Sequence, residues 1–227
     1  STFYLPTLDT LVKMRKTIQL FNIKGVDMIK KSNLAFIAVV LIVFTLASLP
    51  AWAGTIIGSL TVKGLRSPKD VVVYISKGPV YKVDSPEARF AVDQKNLSFL
   101  PHVLVVPQGS TVHFPNNDKV GHNVFSLSRT QKFNLGNYGP GESKKIVFDK
   151  PGLVELRCDM HAEMSAYILV MKNPFFGITD KKGNFAIPDT GYLKGHGVTS
   201  VQELPAGKYT VRTWHEKLKS VKKTIVV

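Results

Sequence analysis

Beyond residue 53, nearly every apolar stretch of this 227-residue chain is short, rich in Val, Ile and Phe, and closed off by Gly, Pro, Asn or Asp. Examples are "TIIGSLTV", "VVVYIS", "HVLVVPQGSTVHF", "KKIVFDKPGLVEL", "AYILVM" and "KYTVRTW". Residues of these types suit a pleated, half-buried surface. No stretch here sustains the 3.6-residue apolar repeat of a packed helix. Many short strands at close spacing predict an all-β sandwich or barrel.

The upstream segment follows a different logic. "MIKKSN" at 28–33 precedes sixteen uncharged residues, "LAFIAVVLIVFTLASL", and then "PAWAGT". A basic start, an apolar run and small residues at Ala51 and Ala53 make the pattern of a secretory signal cleaved after Ala53. The alternative is a retained membrane anchor, but the run is shorter than the roughly 20 residues that span a bilayer. An export signal normally begins near the N-terminus, so translation is expected to start at Met28. The predicted location is the periplasm, with membrane contact only through an uncleaved signal.

Export sharpens the question of Cys158, the one cysteine in the chain. Exported proteins use cysteines in pairs, and a single thiol in an oxidising compartment needs something to hold it. A metal is the obvious candidate, and a small buried core residue is the bland one. The formal net charge of +14 suits a solvated basic surface or the steering of an acidic partner; export argues against nucleic acid.

Two compositional blocks divide the rest. The tail, 173–227, carries the turn signals "TDKKGNFAIPD" and "LPAGKYTV", in which Gly183 and Gly207 are free to take positive φ. It is short for an independent core, and the segment 54–78 offers two strands that could complete it. The expected arrangement is therefore a discontinuous outer unit, 54–78 with 173–227, and an inserted middle block, 79–172. The outer pieces, Gly58 to Ser76 and Thr179 to Val211, resemble the β-sandwich of carboxypeptidase regulatory-like domains, interrupted by the loop 190–203. That resemblance implies a structural or interaction unit.

Within the middle block, "FLPHVLVVPQGSTVHFPNNDKVGHNVFS" at 99–126 precedes "GLVELRCDMHAEMSAYILV" at 152–170. A thiol, a thioether and two imidazoles are soft to intermediate donors, and a His2Cys set with a weak axial Met suits copper; structural zinc sites prefer four strong ligands. These stretches resemble the cupredoxins, closest to the plastocyanin and amicyanin type, whose fold is a Greek-key β-sandwich. The resemblance implies one type 1 copper ion with ligands His122, Cys158, His161 and Met164; Met160 competes for the axial place, and core packing competes for Met164. Asn123 resembles the residue that ties the two ligand loops together, a local turn bond being the alternative.

The sequence departs from the better-known plastocyanins at Arg157, where they have tyrosine, and at Met160, where they have proline. Electron transfer is therefore expected through the edge of His161, with Ala162 and Met160 as the apolar rim. His102 and His113 are expected to face solvent or core, His196 to sit in a mobile loop, and His215 to be structural. No nucleophile with a base, carboxylate pair or open coordination position is evident. The chain is thus expected to carry single electrons between protein redox partners and not to act as an enzyme. A module that delivers or buffers copper is the alternative. Proteins of this two-part kind are sometimes labelled methylamine utilisation proteins.

Overall fold

The computed structural model describes residues 54–62, 66–79 and 89–227. The segment on which the export reading falls, 1–53, lies outside them, as does most of the boundary near 79. The described residues are nearly all β, with one short helix, and form the sandwich architecture that the strand pattern predicts.

The middle block contributes two sheets that share one buried cluster. The first orders β6 (Val103–Pro107), β12 (Ser165–Met171), β11 (Gly152–Arg157), β8 (His122–Ser126) and β9 (Phe133–Tyr138) side by side. The second orders β10 (Ser143–Phe148), β7 (Ser110–Pro115) and β3 (Phe90–Ala91). Alternation explains the core: Val154 and Leu156 of β11 are buried, whereas Leu153 and Arg157 are exposed. From the facing sheet come Val112, Phe114 and Phe148, all inaccessible to solvent. Short β4 (Asp93–Gln94) and β5 (Phe99–Leu100) pair beside them.

The outer segments pair with each other. β1 (Ile56–Ser59) runs antiparallel to β14 (Asn184–Ile187). β2 (Val72–Lys77) lies between β13 (Phe176–Ile178) and β15 (Lys208–Trp214), and β16 (Lys222–Val226) forms the far edge. The hairpin before β14 is fixed by Asp180, whose carboxylate accepts the N–H groups of Lys182 (2.7 Å) and Asn184 (2.9 Å). Gly183 takes φ +83° there, and a side chain on it would collide with the carbonyl of Leu60. Gly207, free to take positive φ, does not do so; it joins the ladder, exchanging both backbone hydrogen bonds with Val227.

Strand β2 and the residue before it join the two halves. Val71, Val73 and Ile75 point into the outer core with Leu60, Phe175 and Tyr209, while Val72 and Tyr74 point into the core of the middle block. A period of two places one strand in both cores. The outer sheet thus shares this strand between its own core and that of the middle block.

The loop 190–203 locks this junction. Helix α1 (Thr190–Gly195) starts at Asp189, whose carboxylate caps the N–H of Tyr192 at 2.9 Å. Tyr192 exchanges hydrogen bonds with the backbone of Val105 at 3.1 and 2.9 Å, and Leu193 and Val198 are buried in the middle core. Those contacts explain why β6, at the edge of its sheet, is buried along its whole length and offers no free edge.

Candidate metal centre

The site forms where two strands end. β8 opens with His122, and β11 stops one residue before Cys158; the turn between β11 and β12 brings His161 back over the strand end. That turn is closed by the N–H of Met164 donating to the carbonyl of His161 at 3.1 Å.

Three donor atoms meet there. His122 Nδ1 and His161 Nδ1 are 3.1 Å apart, and Cys158 Sγ is 3.7 Å from the same His161 nitrogen. All three atoms lie within 4.8 Å of one another. Donors bonded to a shared ion at about 2.0–2.3 Å would stand roughly 3–4 Å from each other, so this spacing fits one metal ion. The soft thiolate with two imidazoles suits copper.

Burial is uneven across the set. His122 and Met164 are inaccessible and Cys158 is nearly so, while His161 is half-buried. Met164 belongs to the same buried middle core as Cys158, whereas Met160 is 50% exposed, which separates the two methionines. Ala162 is exposed, and Val120 and Leu127 are exposed apolar neighbours along the chain. A groove lined by Phe125, Leu127, Arg157, Cys158 and Ala162 lies beside the cluster. Arg157 forms an exposed pair with Glu155, its Nε and Nη2 both donating to one carboxylate oxygen.

Asp118 is the functional residue that sequence reading missed. Its Oδ2 accepts from His122 Nε2 at 3.0 Å and from the N–H of Leu97 at 2.8 Å. Those backbone bonds, with Lys119 and then His122, hold its carboxyl down at about 2. An anion at Nε2 keeps a proton there and leaves Nδ1 free to act as a donor toward the cluster. The signal lay only in the turn "NDKVGH", because the Leu97 contact comes from the distant turn between β4 and β5.

Asn123 does not tie the two ligand loops in this structure. Its amide donates to Asn134 Oδ1 of β9 at 2.8 Å, and its own Oδ1 is buried without a partner. The register of β8 on β9 shifts between Asn123 and Phe125, which puts Asn134 within reach. Tyr138, the register partner of His122, was also missed. Its hydroxyl donates to the carbonyl of Phe114 at 2.9 Å and accepts from Gln94 Nε2 at 2.6 Å, and burial pushes it up to about 12.

The other histidines lie elsewhere. His102 Nδ1 is 3.1 Å from the carbonyl of Ser165 and its Nε2 is 3.2 Å from Glu216, so it bridges the two halves. His196 is not loose: it stacks on Phe90 and bonds the carbonyl of Tyr192 at 2.9 Å. His113 lies on β7, opposite Lys145. His215 accepts the N–H of Lys217 at 3.1 Å.

Residues 86–171 match the model of the copper binding proteins, plastocyanin/azurin family. Among solved structures, a purple cupredoxin from Nitrosopumilus maritimus is 23% identical over 36% of this chain and 99% of its own, with a TM-score of 0.34. A copper-containing nitrite reductase from Thermus scotoductus SA-01 is 30% identical over 37% of this chain and 22% of its own, with a TM-score of 0.35. A reduced Cu(I) form of an amicyanin mutant is 18% identical over 44% of this chain and 98% of its own, with a TM-score of 0.36. No curated protein matches. The cofactor of the matched segment is one type 1 copper ion, and the His122, Cys158 and His161 cluster supplies donors of the kind it takes.

Proposed function

We propose that the chain is an exported electron carrier in which His122, Cys158 and His161, with Met164 as a weak fourth donor, would hold one copper ion. The observation that carries this reading is the convergence of two Nδ1 atoms and the only thiol within 4.8 Å. When bound, copper supplies one-electron exchange between its two oxidation states.

The residues divide the remaining work. Cys158, His122 and Met164 are shut away from solvent, and only His161 reaches the surface. A protein redox partner would therefore meet the cage at His161, with Ala162 and Met160 as the apolar rim. Asp118 holds the His122 ring in one tautomer and orientation. Both ligand segments grow from the ends of β8 and β11, strands of one sheet, so the cage is held on a rigid frame. Little rearrangement on gain or loss of an electron follows from that frame.

In this reading residues 79–172 form the copper domain. Residues 54–78 with 173–227 form a regulatory-like β-sandwich that serves as an interaction unit and not as a catalyst. The signal pattern at 28–53 supports delivery to the periplasm.

Voltammetry of the copper-loaded protein tests the role. A carrier gives a reversible one-electron wave with copper retained in both states. Loss of Cu(I) to an added chelating acceptor on reduction would overturn the carrier reading in favour of copper delivery.

A further inference from the structure

The basic surplus is concentrated in the outer layer. Residues 205–227 include six Lys or Arg and a single acidic residue, Glu216, and that carboxylate is engaged by His102 at 3.2 Å and by Lys217 at 3.5 Å. Strand register sorts these cations. Tyr209, Val211 and Ile225 face the outer core, so alternation turns Arg212 of β15 and Lys222 of β16 to the opposite face. There the two are direct register partners, an arrangement that is itself unfavourable. Both are exposed, and among the described residues neither has an ion pair.

The same face borders a cleft. Tyr74, the register partner of Arg212, lines a cavity of about 270 Å³ with Trp214, Leu153, Leu169 and Met171, and Lys172 stands in its wall. Lysines on an edge strand discourage edge-to-edge pairing, which accounts for Lys222. That role does not account for Arg212, on an interior strand, or for an apolar cleft beside it.

We propose that this face docks an acidic, extended segment of a partner protein, with an aliphatic or aromatic side chain in the cleft and carboxylates on Arg212 and Lys222. A guanidinium suits bidentate carboxylate recognition, and the attraction speeds encounter in a salt-dependent way. A concave cleft flanked by cations fits a peptide chain, whereas a flat bilayer or a rigid duplex would bridge over it. The inference uses the outer layer and the cleft it shares with β11 and β12, none of the copper ligands among them, and stands whether or not the copper ion carries electrons.

The test is fluorescence anisotropy of the full chain with a labelled peptide of alternating Glu and Asp containing one Phe. Tight binding at low salt should fall roughly tenfold or more in the Arg212→Glu, Lys222→Glu double variant, and in Leu153→Asp. The matched reversal Lys132→Glu, just before β9, with Lys145→Glu on β10, should leave it unchanged. Thermal melts establish that each variant is folded. An equal loss in the matched control, or no binding of the peptide, overturns the proposal. So does a result in which the double variant loses binding to anionic lipid vesicles or duplex DNA but not to the peptide.

Discussion

His122 turns its two ring nitrogens to different tasks: Nδ1 stands 3.1 Å from His161 Nδ1, and Nε2 stands 3.0 Å from the Asp118 carboxylate. The first contact faces the cluster, and the second decides which nitrogen carries the proton. Asp118→Asn replaces an anion that accepts with an amide that can also donate. Copper affinity should fall about 10- to 100-fold, read by competition with a chelator of known strength. An unchanged affinity would remove Asp118 from the site.

The two methionines of the ligand loop should behave oppositely. Met164 is buried in the core that also holds Cys158, whereas Met160 is half exposed. Met164→Gln substitutes a hard amide oxygen for a soft thioether, which favours Cu(II), so the reduction potential should fall. Met160→Gln should leave the potential in place. A fall on changing Met160 and none on changing Met164 would exchange their roles.

Tyr138 links the pH response to a residue next to the site. Its folded-state value of about 12 lies above the ordinary 10.0 because of burial. The unfolded chain therefore releases this proton first, and stability present below pH 10 should be lost progressively between pH 10 and 12. Tyr138→Phe should flatten that segment of an alkaline unfolding profile. The same variant removes the donor to the carbonyl of Phe114 and should cost about 1 kcal/mol at neutral pH, measured by urea denaturation.

Val72 tests the shared strand. It is inaccessible and belongs to the middle core, while Val71 and Val73 belong to the outer one. The chain should therefore unfold in one calorimetric transition, and Val72→Ala, at a cost of about 2 kcal/mol, should move that whole transition. Two transitions, of which only one responds, would show that the halves unfold separately.

The strand pattern and the pairing of Cys158 with His161 were legible in the sequence because both depend on short-range spacing, whereas His122, on a separate strand, was named only through the family resemblance. Val-rich runs of five or six residues between turn formers allow little but β structure, and Cys158 and His161 are three positions apart in one turn. Asp118 was not legible, since its grip on Leu97 and His122 depends on two segments that meet only in the fold. Asn123 was misplaced for a similar reason: a register shift in β8 redirects its amide to Asn134. The dual role of the β2 segment was hidden too, because "DVVVYIS" looks like any fully buried strand until the layers on its two faces are known.

The most direct test of the central claim is the visible absorption spectrum of the full chain loaded with Cu(II), recorded beside Cys158→Ser. A thiolate bound to copper in a His2Cys site gives an intense visible charge-transfer band. The account predicts that band in the parent protein, its bleaching on reduction, and its absence in the variant. A parent protein that binds Cu(II) without the band, or a variant that keeps it, would contradict the assignment of Cys158 as a ligand.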